Sequence, residues 1–174
     1  MKIALTGGIA CGKSLLSTFL NELGVETLDA DDVVHELLPD PAERRRIAAE
    51  VFADPEKRRA LEAKIHPLVK ARIDAWLTPK HPDIRIAVIP LLFEVHWEEN
   101  FDIICSVVSS RERQIERMLT TRGMTRAEAE SRLAAQLPVE EKARRSHYVI
   151  RNDGTSEELR AQARAFLVWL GGNR

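Results

Sequence analysis

Hydrophobic positions in this chain fall into short runs that alternate with longer amphipathic stretches. The short runs predict strands at KIALTGG, VETLDADD, IRIAVIPLLFE, FDIICSVVSS and HYVIRNDG. Stretches such as KSLLSTFLNELG place apolar side chains three and four positions apart, which is the spacing of one helix face. Strands that alternate with helices indicate a parallel sheet covered on both faces. We therefore expect an α/β fold, a three-layer sandwich around a parallel sheet.

Local signals mark several helix ends. Gly24 follows the first amphipathic stretch and is expected to end that helix. Thr125 and Glu128 have the spacing of a capping box, which predicts a helix beginning there. Either Thr155 or Ser156 is available as the N-cap of the last helix.

Two polar helical segments do not fit as simple connections between strands. Residues 36–83 contain Pro39, Pro41, Pro55 and Pro67, and predict several short helices with kinked joints because proline favours the first turn of a helix. Residues 111–146 predict a helical hairpin broken at a glycine. We expect one domain whose parts are a core (1–35, 84–110 and 147–174), an acceptor-binding helical subdomain (36–83) and a lid (111–146).

Composition narrows the class of protein. The chain has 174 residues, is 44% hydrophobic and 30% charged, and carries a formal net charge of −1, which gives no support for a nucleic-acid or membrane partner. The two cysteines, Cys11 and Cys105, are not in a CxxC pair, so free thiols are expected. No signal-peptide or membrane-span pattern is present, and we expect a cytoplasmic protein, a monomer or weak homo-oligomer.

One loop carries the clearest chemical signal. The stretch LTGGIACGKSLL contains Gly7, then Gly12, Lys13 and Ser14, at the spacing of a loop that wraps phosphates between a strand and a helix. Glycines let successive N–H groups point inward, and the helix N-terminus adds partial positive charge. Lys13 can reach the β- and γ-phosphates, and the Ser14 hydroxyl can ligate Mg²⁺.

We name residues 7–14 the phosphate loop and predict that this P-loop binds ATP with Mg²⁺. Cys11 is expected to contribute its amide rather than its thiol. The predicted ATP-binding residues of the loop and the start of the helix are Gly8, Ala10, Cys11, Gly12, Lys13, Ser14 and Leu15.

The second predicted strand ends in carboxylates. Asp29 and Asp31 point the same way on an extended chain, beyond a sheet edge where ligands bind. A carboxylate there can orient or deprotonate an attacking hydroxyl, or hold a metal through water. The alternative is that both acids cap a helix beginning near Asp32.

Residues 111–146 are rich in arginine. Most of these side chains are expected on a solvated helix face, but a kinase lid uses a few to stabilise the charge on a transferred phosphoryl group. The arginines of the segment are Arg111, Arg113, Arg117, Arg122, Arg126, Arg132, Arg144 and Arg145.

The chain resembles the dephospho-coenzyme A kinase family. The pieces that carry the resemblance occur in family order across nearly the whole chain. They are LTGGIACGKS, DAD at 29–31, LEAKIHP ending at His66-Pro67, PLLFE at 90–94, RLAAQ at 132–136 and VIRNDG at 149–154.

The resemblance implies a nucleoside-monophosphate-kinase-like fold and ATP-dependent phosphorylation of the ribose 3′-hydroxyl of dephospho-coenzyme A. It implies that Asp31 is the base for that hydroxyl and that Arg117 and Arg145 are lid arginines near the phosphates. It places Asn152 near the ATP adenine. It aligns three residues with the acceptor side: His66, Leu91 and Glu94.

Some positions allow other interpretations. His66 precedes a proline and is equally typical of a helix-capping histidine, and PLLFE is also typical of a buried strand end. The chain departs from the family in a shortened segment after His35, in Val88 where many relatives carry an acid, and in Ser146-His147 before the last strand.

Two other functions fit the same residues. One is another small-molecule kinase of this fold, such as a nucleoside-monophosphate kinase, whose acceptor phosphate could meet the ERRR run at 43–46. The other is a non-catalytic nucleotide-binding module. The presence of Lys13, Ser14 and Asp31 favours a kinase over such a module, because binding alone does not need Asp31.

Overall fold

A computed structural model of the chain describes residues 1–38, 40, 42, 46–47, 54–78 and 84–172. It divides into two compact units, one formed by Met1–Thr27 with Asp83–Arg174 and the other by Leu28–Pro82. The predicted division into core, acceptor-binding subdomain and lid stays a prediction. Within the described part of the chain, no helix is both long and apolar enough to span a membrane.

The chain forms a sheet of five strands, which are β1 (Ile3–Gly7), β2 (Glu26–Asp29), β3 (Arg85–Val88), β4 (Ile103–Val108) and β5 (Tyr148–Arg151). Their order in the sheet is β2-β3-β1-β4-β5. Strand β1 pairs in parallel with β3 and β4, and β5 pairs in parallel with β4. The α/β fold with a parallel sheet is confirmed.

Each predicted strand run contains one of these strands, but the third ends early. IRIAVIPLLFE is a strand only up to Val88, and residues 90–96 are turns. Pro90 lacks the N–H that a ladder hydrogen bond needs, so the strand stops before it. Val88 is itself buried, at 1% exposure, which suits the apolar residue found there.

Two helices cover the central strands of the first unit. α1 (Lys13–Glu22) buries Leu16 and Leu20, and α7 (Ser156–Gly172) buries Leu159 and Phe166, all in one hydrophobic core with the strands. Gly24 has a left-handed φ of 84° just after α1, as expected of a helix-ending glycine.

The predicted hairpin over 111–146 contains three helices rather than two. α4 (Arg111–Arg122) ends at Gly123, whose φ is 62°, and α5 (Arg126–Ala134) begins with the predicted capping box of Thr125 and Glu128. A further short helix, α6 (Val139–Arg144), follows Pro138. The proline lies at the N-cap of α6, where its missing N–H costs no hydrogen bond within that helix.

The second unit contains α2 (Ala30–Leu37) and α3 (Pro55–Leu77). Their packing buries Val33, Val69 and Ile73. The expected break between short helices at Pro67 is wrong, because α3 is one helix of 23 residues that contains this proline. The buried Val69 and Ile73 lie within two turns after Pro67, and their packing stabilises the helix although proline removes one hydrogen bond. Pro39 and Pro41 lie outside the described residues.

Candidate active site

The phosphate loop turns sharply between β1 and α1. The backbone φ is 143° at Gly7, 57° at Ala10 and 94° at Gly12, all in the region that L side chains rarely adopt. A Cβ at Gly7 would lie 2.1 Å from the carbonyl oxygen of Val107, so the glycine allows the loop to pass close to β4. The predicted strand–loop–helix context of the motif is therefore present.

Lys13 lies at the first position of α1 and folds back over the loop. Its Nζ donates hydrogen bonds of 2.9 Å to the carbonyl oxygens of Gly7 and Gly8. The ammonium group is thus held at the loop, where the sequence predicts that the β- and γ-phosphates bind. Ser14 and Leu15 follow in the first turn of α1, and both are exposed.

Asn152 forms a hydrogen bond to the C-terminal part of the phosphate loop. Its Nδ2 donates to the carbonyl oxygen of Cys11 over 2.9 Å, and only 6% of the residue is exposed. A Cβ at Gly12 would lie 2.2 Å from this amide nitrogen, so glycine is required for the contact. The resemblance puts Asn152 near the adenine, and that role stays a prediction. In the structure its side chain supports the loop.

Arg117 reaches the loop from α4. Its Nη1 donates to the carbonyl oxygen of Ala10 at 3.1 Å and to Oγ of Ser109 at 3.0 Å, and its Nη2 donates to the carbonyl oxygen of Asn152 at 2.7 Å. The guanidinium group therefore brings a positive charge to the outer side of the phosphate loop.

The Cys11 side chain is fully buried within the loop. Burial raises the pKa of its thiol, and this outweighs the opposing effect of the nearby Lys13 and Arg117 charges. A protonated, inaccessible thiol is a poor nucleophile, which agrees with the prediction that the Cys11 amide is the functional group.

Asp29 and Asp31 do not point the same way along an extended chain, so that part of the sequence argument is wrong. Asp29 ends β2 and is the N-cap of α2, and its Oδ1 accepts a hydrogen bond of 2.9 Å from the Asp31 amide. The helix begins at Ala30, two residues earlier than expected. Asp31 lies in the first turn with an exposed side chain. The capping alternative is correct for Asp29.

His66 belongs to the second unit and lies in the interior of α3, with its side chain half-buried. The alternative that it caps a helix is wrong, because α3 continues for eleven residues beyond it, to Leu77. Its predicted contact with the acceptor stays a prediction. Of the ERRR run at 43–46, only Arg46 is among the described residues.

The turn at 90–94 is anchored by a buried lysine. Nζ of Lys142, whose side chain is 0% exposed, lies 2.8 Å from Oε1 of Glu94 and donates to the carbonyl oxygen of Pro90 at 2.9 Å. Oε1 of Glu94 also accepts from the amide of Leu137 at 3.0 Å. Leu91, the other predicted acceptor-side residue of this turn, is 42% exposed.

Arg145 follows α6 and pairs with an acidic residue. Its guanidinium forms a salt bridge with Glu98, which lies in a short 3₁₀ helix, Glu98–Asn100. The same guanidinium stacks over the Phe93 ring, 4.5 Å from the ring centroid. Arg117 is brought to the phosphate loop, whereas Arg145 is held by Glu98.

Sequence reasoning missed three side chains that shape this site. Gln114 of α4 donates from Nε2 to the carbonyl oxygen of Ile9 at 2.7 Å, Oε1 of Gln136 accepts from the Ile9 amide at 3.0 Å, and Lys142 anchors the 90–94 turn. A signal existed for Gln114, since it shares the buried face of α4 with Met118, four residues later. For Lys142 there was none, because a lysine in a short charged segment is typical of a solvated surface.

A model of the dephospho-CoA kinase family matches this chain over residues 1–43 and 40–158. The chain is 36% identical over 209 residues to a dephospho-CoA kinase of Synechococcus sp., covering 95% of this chain and 90% of that protein. It is 38% identical over 181 residues to a dephospho-CoA kinase of Geobacter sulfurreducens, covering 90% and 92%.

The fold is similarly close to that of a solved protein. A crystal structure from Thermus thermophilus superposes with a TM-score of 0.81 at 33% sequence identity, covering 98% of this chain and 97% of the other. The sequence similarity and the fold similarity therefore both extend over nearly the whole length of the molecule.

Proposed function

The chain belongs to the dephospho-CoA kinase family, and from this premise we propose how its residues transfer a phosphoryl group from ATP to the ribose 3′-hydroxyl of dephospho-coenzyme A. The reaction yields coenzyme A and ADP and is the last step of coenzyme A synthesis. The main observation that supports the proposal is the phosphate loop, because side chains on several sides fix the orientation of its peptide groups.

Side chains bind successive carbonyl oxygens of this loop. Lys13 donates hydrogen bonds to the carbonyl oxygens of Gly7 and Gly8. Arg117 donates to that of Ala10, and Asn152 donates to that of Cys11. Because C=O and N–H point in opposite directions across a trans peptide, the contacts that Arg117 and Asn152 make from the outer side favour inward N–H groups at Cys11 and Gly12. Inward N–H groups at a helix N-terminus suit the polyphosphate of ATP.

Lys13 and Ser14 are proposed to act directly on ATP. When ATP binds, the Lys13 ammonium exchanges its carbonyl partners for the β- and γ-phosphate oxygens. Hydrogen bonds to the charged phosphate oxygens are stronger than those to neutral carbonyl oxygens. The exposed Ser14 hydroxyl is an oxygen ligand of the kind that Mg²⁺ prefers, and it would hold an ion that arrives with the phosphates of ATP. Bound Mg²⁺ would neutralise phosphate charge.

No group of three or more His, Cys, Asp or Glu side chains among the described residues is arranged to hold a metal ion. Mg²⁺ is a cation that proteins commonly bind through one or two side chains together with substrate phosphates. The donor set here, one hydroxyl beside a phosphate site, therefore fits an ion that arrives with ATP.

Asp31 is proposed as the base for the acceptor hydroxyl. Its carboxylate is exposed on the first turn of α2, while the neighbouring Asp29 carboxylate is occupied as the helix N-cap. A base must accept the hydroxyl proton as the oxygen attacks phosphorus, and an exposed carboxylate has the free lone pairs to do so.

Arg117 and Arg145 are proposed to balance the negative charge that develops on the transferred group. Arg117 is held beside the phosphate loop by the carbonyl oxygen of Ala10. For Arg145, approach to phosphate requires release from Glu98, an exchange of one anionic partner for another.

The remaining assignments rest on the family. His66, Leu91 and Glu94 are proposed to contact dephospho-coenzyme A, and Asn152 is proposed to lie near the adenine of ATP. We also propose a cytoplasmic enzyme that acts as a monomer or weak homo-oligomer, with no nucleic-acid partner.

Identification of the phosphorylated position tests this function. The protein is incubated with ATP, Mg²⁺ and dephospho-coenzyme A, and the product is examined by ³¹P NMR. A new monoester signal coupled to the ribose 3′-proton supports the proposal. The control acceptor is the 3′-deoxy analogue, which lacks only the reacting hydroxyl. Phosphorylation of that analogue would place the transfer on another group and contradict the proposal.

A further inference from the structure

Both main-chain polar atoms of Ile9, in the middle of the phosphate loop, are bound by glutamine side chains. Nε2 of Gln114 donates to the Ile9 carbonyl oxygen at 2.7 Å, and the Ile9 amide donates to Oε1 of Gln136 at 3.0 Å. Gln114 lies on α4 and is 2% exposed, while Gln136 lies in the connection between α5 and α6. The two contacts therefore reach the loop from two different elements.

These contacts fix two successive peptide groups. The Ile9 carbonyl belongs to the peptide that precedes Ala10, and the Ile9 amide belongs to the peptide that follows Gly8. Ala10 has a φ of 57°, a left-handed conformation that is unfavourable for a residue with a Cβ. A loop with this strain tends to relax by rotating a neighbouring peptide, and the two amide contacts oppose that rotation.

We propose that Gln114 and Gln136 are positioning residues that keep the phosphate loop in its ATP-binding conformation. This inference deepens the proposed function and rests on it, since the loop is taken as the ATP site. Neither glutamine needs to touch ATP. Gln114 fixes the orientation of the peptide group between Ile9 and Ala10, and Gln136 fixes that of the peptide group between Gly8 and Ile9.

The expected effect is on ATP affinity and not on the chemical step. If loss of one contact reduces the fraction of molecules with a competent loop, the apparent dissociation constant for ATP rises by the same factor. The net contribution of one hydrogen bond corresponds to about tenfold. Because saturating ATP restores the competent loop, kcat stays within about threefold of the wild-type value.

The chain offers a matched control in Gln162 of α7. Its Nε2 donates to the Arg151 carbonyl oxygen at 2.8 Å, and its Oε1 accepts from the Arg151 amide at 3.1 Å. These are the same two kinds of bond as those made to Ile9, but they are made to the end of β5. Gln162→Met therefore removes an equivalent pair of contacts without touching the phosphate loop.

The experiment compares Gln114→Met, Gln136→Met and Gln162→Met in the full chain. Calorimetric titration with ATP and Mg²⁺, without acceptor, gives the affinity, and NMR hydrogen exchange gives the protection of the Ile9 amide. We expect about tenfold weaker ATP binding in both loop variants and wild-type affinity in Gln162→Met. Gln136→Met also speeds exchange of the Ile9 amide, whereas Gln136→Glu, which keeps an accepting oxygen, preserves the protection.

Several results would overturn the proposal. These are an ATP affinity within twofold of wild type in Gln136→Met, an equal loss in Gln162→Met, or a fall in kcat with unchanged affinity. If buried Gln114→Met fails to fold, the two Gln136 variants still decide. Failure of the proposed function is separable, because a chain that binds ATP but does not phosphorylate dephospho-coenzyme A leaves this comparison intact.

Discussion

Nζ of Lys142 lies 2.8 Å from Oε1 of Glu94, and none of the Lys142 side chain is exposed. The same ammonium group donates to the carbonyl oxygen of Pro90. A helix after the α4–α5 hairpin is thereby joined to the turn that follows β3, through a charge pair whose lysine is fully buried and whose Glu94 side chain is 20% exposed. Such a pair depends on both partners, since either one alone would be a largely buried, uncompensated charge.

Lys142→Met is expected to destabilise the protein strongly. The substitution preserves most of the side-chain volume but leaves the Glu94 carboxylate without its cation, which typically costs about 3–5 kcal/mol. Chemical denaturation in urea measures this as a lower free energy of unfolding.

The double variant Lys142→Met with Glu94→Gln provides the control. Removing both charges should recover a substantial part of the lost stability, because the remaining amide is neutral. A single variant as stable as the wild-type protein would show that the pair contributes nothing.

Lys13→Ala is expected to abolish nearly all turnover while the fold survives. The lysine side chain donates to the loop carbonyls of Gly7 and Gly8, and its proposed role is to neutralise phosphate charge. Steady-state kinetics should show a loss of at least about a hundredfold. The exposed Lys57→Ala on α3 is the control and should keep wild-type kinetics. A Lys13→Ala enzyme within a few-fold of wild type would refute the phosphate assignment.

Asp31→Asn is expected to lower kcat more than it weakens ATP binding. Loss of a general base commonly costs about a hundredfold or more in rate. Asp32→Asn is the matched control, because Asp32 is also exposed and lies in the same first turn of α2. Parallel measurement of kcat and the ATP dissociation constant distinguishes the roles. Loss of ATP binding alone would instead indicate that Asp31 helps to hold the metal.

The two buried thiols predict a fall in stability at alkaline pH. Burial raises the pKa of Cys11 and of Cys105 in the folded protein. The unfolded thiols titrate near about pH 8.5, so the unfolded chain loses these protons first. The contribution of the two protonated thiols to the free energy of unfolding is thus fully present below about pH 8.5, and it is lost as the pH rises toward the pKa values of the folded protein.

Urea denaturation at about pH 7 and about pH 9.5 measures this effect, which should reach about 1 kcal/mol for the fully buried Cys105 thiol, with a further decrease from Cys11. The double variant Cys11→Ala and Cys105→Ala should show a smaller decrease over the same interval. Burial raises the pKa of Tyr148 in both proteins, and the charge of Cys105 raises it further where that thiol is present, so the difference between the two proteins reports the thiols together with this coupling. Equal decreases in the two proteins would contradict the assignment.

Local patterns were enough to predict much of the fold. The five hydrophobic runs each contain a strand, and the Thr125 and Glu128 spacing predicted the observed capping box. The path of the chain at Asp29 and Pro67 was not predictable in this way. At Asp29 the helix begins directly after the strand, and at Pro67 tertiary packing outweighs the lost hydrogen bond.

In the candidate site, too, local features were predictable from the sequence and long-range contacts were not. The phosphate loop was evident because glycine spacing and the strand–helix context are local. Its supports were not, because Gln114, Gln136 and Asn152 lie more than a hundred positions away from the loop residues they bind. Only the fold brings these amides to the loop, and no nearby sequence signal gives the partner of a solitary glutamine.

The most direct test of the account is an ADP-release assay with ATP and Mg²⁺ that compares dephospho-coenzyme A with AMP, CMP and adenosine as acceptors. We expect ADP release with dephospho-coenzyme A, no more than background with the other three acceptors, and loss of nearly all of this turnover in Lys13→Ala. Turnover with a nucleoside monophosphate, or no turnover with any acceptor despite measurable ATP binding, would contradict it.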